Sequence, residues 1–232
     1  MKKIIISFAI LIGSLTGTSV MALEPGITMG VSANAGMLSA TGKESLRNGG
    51  GTLSSQGVVS KSEDMFIGYG TVFAEAYLNP MIRVGLDYAP GDLESETTES
   101  VQGSLTQAQG GTGEADRTQK VQVNLSDLTT GYVALHHASG AFIRAGLMAG
   151  NLITNESLDS GSVYGNAKLK GYIVGVGYEH AIKDDGFFVR GEVNQTQFEK
   201  ISLNATGSDN KNHILIDGIS GTNGVISIGK NF

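Results

Sequence analysis

The residues best suited to chemistry are three arginines and four carboxylates in short segments where polar and apolar residues alternate. The arginines are Arg83, Arg144 and Arg190, and each closely follows a tight turn. The carboxylates, on the same or neighbouring segments, are Glu75, Asp87, Glu179 and Glu192. Charged groups removed from water must pair or stay hydrated, because an isolated one costs several kcal/mol. The expected chemistry is a network of ion pairs rather than catalysis.

The arginines also sort the two faces of their segments. Alternate residues of a strand point to opposite faces. If each arginine points inward, the outward sets are Ile82, Val84, Leu86 and Tyr88, then Ala141, Ile143, Ala145 and Leu147, then Phe187, Val189, Gly191 and Val193. Arginine facing lipid costs about 2–4 kcal/mol at the midplane, so these wholly uncharged faces predict contact with hydrocarbon. A soluble barrel or sandwich, the alternative, places its apolar side chains inward.

Eight alternating segments are predicted as strands. They cover residues 27–40, 65–78, 81–89, 121–137, 141–152, 166–181, 187–203 and 213–232. Three connections are tight turns, at 79–80, 138–140 and 183–186, and the other four are long and polar, around 41–64, 90–120, 153–165 and 204–212. Short turns on one side and long loops on the other are typical of transmembrane barrels. Ten strands are the alternative, if part of 41–64 or 90–120 forms another hairpin.

The N-terminus has the features of a secretory signal. Met1-Lys2-Lys3 is basic, Ile4 to Ile12 is apolar, and Val20-Met21-Ala22 fits a cleavage site. This predicts a signal peptide at 1–22 and a single domain at 23–232. The alternative, an uncleaved signal anchor, is disfavoured by the polar residues after the apolar run. The chain has no cysteine, so disulfides are excluded, and its net charge of −6 argues against nucleic-acid binding.

The last strand ends on Phe232, with Ile226 and Ile228 at alternate positions before it. With the signal peptide and the eight segments, this resembles the small bacterial outer-membrane β-barrels of the outer membrane protein A transmembrane-domain, OmpX, OmpW and opacity-protein types. The resemblance implies an all-β fold: a closed, antiparallel, eight-stranded up-and-down transmembrane barrel in the outer membrane after Sec-type export. It also implies that Ile226, Ile228 and Phe232 form the signal read by the barrel-assembly machinery. Lys230 departs from that signal, which usually has an aromatic or apolar residue there.

The expected role is non-enzymatic. An eight-stranded barrel has an interior that side chains can fill, so we expect a filled, charged lumen and a role in envelope structure and surface interaction through the long outer loops. The alternative is a narrow porin-like or OmpW-like channel for small solutes or apolar molecules. Expected partners are outer-membrane lipid and lipopolysaccharide, the barrel-assembly machinery and an extracellular ligand bound by the loops. We expect a monomer without cofactor or metal.

The acidic stretch 91–116 is expected to be a mobile, solvated loop. It contains six carboxylates among Gly, Ser, Thr and Gln. Surface presentation, including cation bridging to lipopolysaccharide, is its functional interpretation, and simple shielding is the other.

Four histidines are the remaining chemical candidates. His136 and His137 are expected at the membrane interface, and His180 suggests nothing further. His213, with Asp209 and Asp217 nearby, is the basis of a third hypothesis, a surface enzyme. No catalytic residue is predicted.

Overall fold

A computed structural model describes residues 26–47, 53–94, 98–102, 117–157, 163–182, 185–206 and 211–232, and the predicted signal peptide lies outside them. All regular secondary structure in this part of the chain is β-strand. The strands are β1 (Ile27–Arg47), β2 (Leu53–Tyr77), β3 (Ile82–Tyr88), β4 (Leu93–Glu94), β5 (Thr98–Gln102), β6 (Arg117–His136), β7 (Ala141–Ser157), β8 (Val163–Tyr164), β9 (Ala167–Ile182), β10 (Phe187–Phe198), β11 (Ile201–Thr206) and β12 (His213–Asn231). Among the described residues, no helix is long and apolar enough to cross a membrane.

Eight of these strands form a closed antiparallel ring in the order β1-β2-β3-β6-β7-β9-β10-β12. The ring closes where β12 pairs with β1, from Thr28 opposite Asn231 to Ser45 opposite His213. The predicted eight-stranded all-β barrel is therefore confirmed. Within the described residues the ring has eight strands rather than ten, because β4 and β5 pair with β6 and add no strands to the ring.

Polar turn residues join the strands at one end of the barrel, which we call the turn end. Asn79 Oδ1 accepts hydrogen bonds from the backbone N–H groups of Met81 and Ile82, both at 2.8 Å. Gly140 and Gly186 have φ angles of 95° and 78°, which side-chain-bearing residues rarely adopt. Of the predicted turn at 183–186, residues 183 and 184 lie outside the described part of the chain. The opposite end of the barrel is the loop end.

Several strands run further toward the loop end than predicted. The predicted loop 41–64 is wrong over 41–47 and 53–64, which form a long hairpin of β1 and β2. β6 and β7 also extend into the predicted loops, and the stretch 91–116 contributes β4 and β5. Conversely, the predicted strand 187–203 is divided into β10 and β11. Polar residues such as Thr41 and Ser62, whose hydroxyls lie 2.9 Å apart, made these extensions resemble loops.

The section next to the tight turns, which we call the belt, has an apolar outer face. The belt comprises residues 27–37, 66–77, 82–88, 130–136, 141–148, 171–182, 187–194 and 223–232. Its exposed side chains include Val31, Phe66, Leu86, Leu147, Val176, Val193 and Ile226. His180 and Lys230 are the polar exceptions, both near the turn end. The outward faces predicted from the arginines are those seen here, and for β6 the outward residues are Val133 and Leu135.

The section beyond the belt, which we call the extension, has the opposite arrangement. It comprises residues 38–47, 53–65, 89–94, 98–102, 117–129, 149–157, 163–170, 195–206 and 211–222. Its outward side chains are mostly polar, including Asp127, Lys168, Lys170, Gln195, Ser202 and Asn204. Its interior is an apolar core that includes Leu38, Leu125, Leu152, Leu169, Ile201 and Leu203. The faces of the sheet thus exchange character along the barrel axis.

Candidate functional site

Four side chains of the belt interior form a charge-balanced group that we call the paired cluster: Glu75, Arg83, Glu179 and Arg190. Arg190 donates two hydrogen bonds to Glu75, at 2.7 and 2.8 Å, and Arg83 donates two to Glu179, at 2.8 and 2.9 Å. Arg190 also reaches Glu179 at 2.8 Å, and Arg83 reaches Glu75 at 3.3 Å. Two positive charges therefore face two negative charges in a closed ring of contacts.

Aromatic rings surround the paired cluster. The Arg190 guanidinium lies 5.1–5.2 Å from the ring centroids of Phe73, Phe142 and Phe188. Arg83 lies 4.5 Å from the ring of Tyr77. These distances are within the range of cation–π attraction, so the rings both fill the lumen and stabilise the guanidinium groups.

Strand register explains how the paired cluster assembles. Arg190 on β10 lies directly opposite Glu179 on β9, and Glu75 on β2 lies opposite Gly85 on β3. A Cβ atom at Gly85 would overlap the ring of Tyr132, so this glycine leaves space for the tyrosine. The Tyr132 hydroxyl donates to Glu75 Oε1 at 2.8 Å. All four carboxylate oxygens of the cluster accept hydrogen bonds, whereas Arg83 Nε has no partner.

The other three predicted charges form a second group toward the loop end, which we call the acidic group: Asp87, Arg144 and Glu192. Arg144 Nε lies 2.8 Å from Glu192 Oε1, and Arg144 Nη1 lies 3.7 Å from Asp87 Oδ2. The Arg144 guanidinium packs 4.6 Å from the ring centroid of Tyr132. With one cation facing two carboxylates, this group differs from the paired cluster in its charge.

Beyond the acidic group the lumen becomes apolar. A cavity of about 20 Å³ lies between β1, β2, β6, β10 and the segment after β3. Its walls include Leu38, Ile67, Leu93, Leu125, Leu128 and Phe198. The interior is thus ionic in the belt and apolar in the extension.

Among the described residues, the barrel wall is interrupted beside this cavity. The ladder between β2 and β3 ends at Val72 opposite Tyr88. The chain then turns toward β6, because the Ala89 N–H donates to the Leu128 carbonyl at 2.9 Å and Pro90 has no N–H to donate. Among the described strands, none pairs with this edge of β2 from Leu53 to Thr71.

The interruption begins within the belt. The outer face of β2 stays apolar from Val72 to Phe66, whose side chain is 74% exposed. Ile67 and Tyr69, on the inner face of the same stretch, line the apolar cavity. The geometry therefore brings an apolar cavity next to an unpaired strand edge at the level of the belt.

The predicted assembly signal lies on the outer face at the turn end. Ile226, Ile228 and Phe232 are 69%, 50% and 70% exposed. The Phe232 N–H donates to the Ile27 carbonyl at 2.8 Å. Lys230 Nζ lies 4.8 and 5.6 Å from the ring centroids of Phe187 and Phe232. A recognition role for these residues stays a prediction.

The histidines separate into inner and outer groups. His136 is buried in the lumen and stacks on Phe142 at 4.8 Å, so its predicted interfacial position is wrong, whereas His137 is exposed. The reason is that His136 lies on the inward face of β6, in register with Phe142 on β7. His180 lies on the outer face of β9.

His213 lies on the outside of the extension. Its Nε2 is 2.7 Å from Ser202 Oγ, and both side chains lie at the outer surface. Asp209 is outside the described residues. Within the described part of the chain, no group of three His, Cys, Asp or Glu residues is arranged to hold a metal.

Sequence reasoning missed Tyr132 and the apolar interior of the extension. The sequence alone leaves the lipid face of this segment ambiguous, because the pair Tyr132 and Ala134 suits either side as well as the pair Val133 and Leu135 does. Strand register is the signal that could have identified Tyr132 as inward-facing. Gly85 pairs with Tyr132 across the β3–β6 ladder, and a glycine leaves room for a large neighbour. The inner core of the extension could have been found from alternation continuing through Leu38, Ala40 and Gly42.

Comparison with known structures supports the architecture. The chain is 14% identical to the outer membrane protein OprG of Pseudomonas aeruginosa, with a TM-score of 0.52, covering 92% of this chain and 99% of OprG. The chain has the fold of the small outer-membrane β-barrels. The outer membrane protease OmpT of Escherichia coli gives 12% identity and a TM-score of 0.46, covering 94% of this chain and 100% of OmpT. Ail, the attachment invasion locus protein of Yersinia pestis, gives 8% identity and a TM-score of 0.37, covering 86% of this chain and 98% of Ail.

No protein-family model matches the chain, and no curated protein matches it by sequence. The similarity to OprG therefore describes the fold, and the role must be argued from the lumen and the wall.

Proposed function

We propose that this protein is a non-enzymatic outer-membrane β-barrel that accepts small apolar molecules in its loop-end lumen and passes them sideways toward the lipid. The observation that carries this proposal is the unpaired edge of β2 beside the apolar cavity. Lipid offers no hydrogen bonds to free backbone groups, so a sealed wall would be the stable default. An edge of β2 that has no partner among the described strands, at the level of the belt, therefore supports a lateral path.

The chemistry of the cavity favours an apolar guest. Leu38, Ile67, Leu125, Leu128 and Phe198 are among its lining residues, and charged side chains lie below it in the belt interior. Transfer of apolar surface from water to such walls gains roughly 25 cal/mol per Å². The cavity of about 20 Å³ is small, so a guest larger than a water molecule requires the walls to move apart.

The paired cluster argues against passage along the barrel axis. It connects β2, β3, β9 and β10 across the lumen through hydrogen bonds of 2.7–3.3 Å. Breaking such buried pairs costs several kcal/mol. A guest that enters at the loop end therefore has the interruption beside β2 as its exit, and refolded protein in planar bilayers should be electrically silent.

The experiment uses the absence of tryptophan from the chain. We would introduce one at Leu128, in the cavity, and in a second protein at Leu86, on the lipid-facing surface of β3. Quenching by 1,8-dibromooctane should saturate for Leu128→Trp, because the cavity holds a limited number of guests. It should rise linearly for Leu86→Trp, where the quencher only partitions into lipid.

Linear quenching in both proteins would remove the proposed function. Migration of unboiled samples on gels establishes that each variant has folded before quenching is compared. Steady single-channel openings would instead favour the axial pore, and their loss in Arg144→Ala would assign the path to the belt interior.

A second candidate role is envelope structure and surface interaction, and the extension favours it. The β1–β2 hairpin reaches well beyond the belt, with a mostly polar outer face. Replacing residues 41–62 by a tight turn should leave the ring intact. If the extension interacts with lipopolysaccharide, the shortened protein should bind less of it than the full chain in vesicle flotation, and equal binding would contradict this role.

The exposed Ser202–His213 contact does not change the non-enzymatic proposal. A serine nucleophile requires a base that is itself oriented, together with donors for the developing oxyanion. Among the described residues, the His213 side chain makes no hydrogen bond besides the one with Ser202. A hydrolase or acyltransferase activity lost in Ser202→Ala or His213→Ala would overturn that assignment.

A further inference from the structure

The buried charges of the lumen do not balance. Three arginines face four carboxylates, and the paired cluster accounts for two of each. The remaining arginine, Arg144, faces both Asp87 and Glu192. If all seven groups are ionised, one negative charge is left over in the acidic group, where the Asp87 and Glu192 side chains are only 11% and 2% exposed.

Several polar atoms of the acidic group and of the neighbouring Asn194 also lack hydrogen-bond partners. They are Asp87 Oδ1, Glu192 Oε1 and both amide atoms of Asn194, whose residue is 1% exposed. Although Arg144 Nε is close to Glu192 Oε1, neither atom makes an aligned hydrogen bond. Buried polar atoms left unpaired cost about 1–3 kcal/mol each, so a bound group that pairs with them would stabilise the fold.

Two of the unpaired oxygens lie over the same glycine. Glu192 Oε1 and Asn194 Oδ1 both lie over Gly175, where a Cβ atom would contact each of them. Beside the acidic group is a cavity of about 10 Å³, lined by Asp87, Arg144, Asn34, Thr71, Thr130 and Asn223 among others. About 10–15 Å³ is enough for one water molecule, so the space suits a single small guest.

We propose that the acidic group binds one positive charge, either a proton on one of its two carboxylates or a small monovalent cation. This guest would neutralise the surplus carboxylate and give the unpaired oxygens a partner. Oxygen atoms are the ligands that hard cations prefer. Two carboxylates beside an arginine supply too little negative charge for a divalent ion.

The surroundings of the site contain few competing charges. On β2 these are Glu75 and the phenol of Tyr69, on β6 the phenol of Tyr132, and on β9 Glu179. Arg190 on β10 and Arg83 on β3 belong to the paired cluster and are matched by its carboxylates. The inward residues of β1 and β12 around the cavity, Asn34 and Asn223, are neutral.

The test measures unfolding of the refolded barrel by urea in phosphocholine vesicles. One series varies pH from about 5 to about 9, and the other exchanges sodium for N-methylglucamine at constant ionic strength. A proton bound only in the folded state contributes stability that is present at low pH and is lost as pH rises. The folding equilibrium constant then falls by up to about tenfold per pH unit. A bound cation gives a dependence on sodium instead.

Asp87→Asn and Glu192→Gln each remove the surplus charge, and both should flatten the response that wild type shows. Glu179→Gln, in the paired cluster, is the matched control, and it should keep the response while losing stability. An infrared band of a protonated carboxyl, lost in Asp87→Asn or Glu192→Gln, assigns the guest as a proton. A sodium response without that band assigns a cation.

Two outcomes would overturn the proposal. In one, wild type responds to neither pH nor sodium. In the other, Asp87→Asn and Glu192→Gln alter the response no more than Glu179→Gln does. Because none of these measurements uses an apolar guest, they are independent of the proposed lateral path.

Discussion

The belt and the extension are built from the same strands, yet their inner and outer faces exchange character. In the belt Val176 and Ile226 face outward while Glu75 and Arg190 face the axis. In the extension Lys168 and Asn204 face outward while Leu169 and Leu203 face the axis. The exchange teaches that the surrounding solvent decides the pattern: hydrocarbon outside requires an apolar outer face, and water outside requires an apolar interior.

The comparison also separates two ways of filling a narrow barrel. The belt interior is held by charge-assisted hydrogen bonds, which depend on complete sets of partners. The extension interior is held by packing of aliphatic side chains, which depends on volume. Substitutions inside the two sections should therefore destabilise the barrel for different reasons. In the belt they remove hydrogen-bond partners, and in the extension they change the packed volume.

The largest effect is expected from breaking the paired cluster. Glu75→Gln removes the charge that faces Arg190 and Arg83, so about 3–5 kcal/mol of the free energy of unfolding should be lost. Urea unfolding in phosphocholine vesicles measures it. The control is Glu63→Gln, because the Lys61–Glu63 pair is more than half exposed on both sides and should contribute less than about 1 kcal/mol. Equal losses of unfolding free energy in both variants would contradict a stabilising role for the paired cluster.

A somewhat smaller effect is expected from a cavity in the extension. Leu169→Ala removes one of the most buried side chains of the apolar core and should cost about 2–5 kcal/mol. Leu86→Ala, on the lipid face, should cost less, because lipid closes around the shortened side chain and no cavity forms. The same unfolding assay compares them. An equal or larger loss at Leu86 would show that the extension interior is loosely packed.

The outer faces provide the third and smallest test. Val176→Arg places a guanidinium in the apolar belt and should cost about 2–4 kcal/mol. Asn204→Arg places the same group on the polar outside of the extension, where the change should stay within about 0.5 kcal/mol. Unfolding midpoints at the same lipid concentration measure the difference in stability between the two variants. A comparable cost at the two positions would mean that the boundary between belt and extension is misplaced.

Much of the belt could be predicted from the sequence because one energetic rule dominates it. Lipid excludes charge so strongly that Arg83, Arg144 and Arg190 fix the inward face of three strands, and alternation supplies the rest. The extension could not be delimited in this way. Thr41, Lys43 and Ser62 are as typical of loops as of the wet face of a strand, and their pairing appears only when the hairpin is formed.

The chemistry of the site was predictable in kind but not in arrangement. Residue types indicated ion pairs inside a barrel, and the balance of charges could be counted. The division into a paired cluster and an acidic group depends on strand stagger around the ring, which brings Glu75 to Arg190 across 115 residues of sequence. The exit of the chain at Pro90, which leaves one edge of β2 without a partner among the described strands, likewise depends on where Ala89 bonds to Leu128.

The pairing of β12 with β1 has a consequence for how the molecule forms. Thr28 and Asn231, hydrogen-bonded through their side chains, are separated by 203 residues. Contacts between residues far apart in sequence slow folding, because a long stretch of chain must be ordered before these contacts can stabilise the fold. The cylinder cannot close until ribosomal synthesis has delivered its final strand. The nascent polypeptide must therefore be kept from aggregating throughout its passage to the membrane.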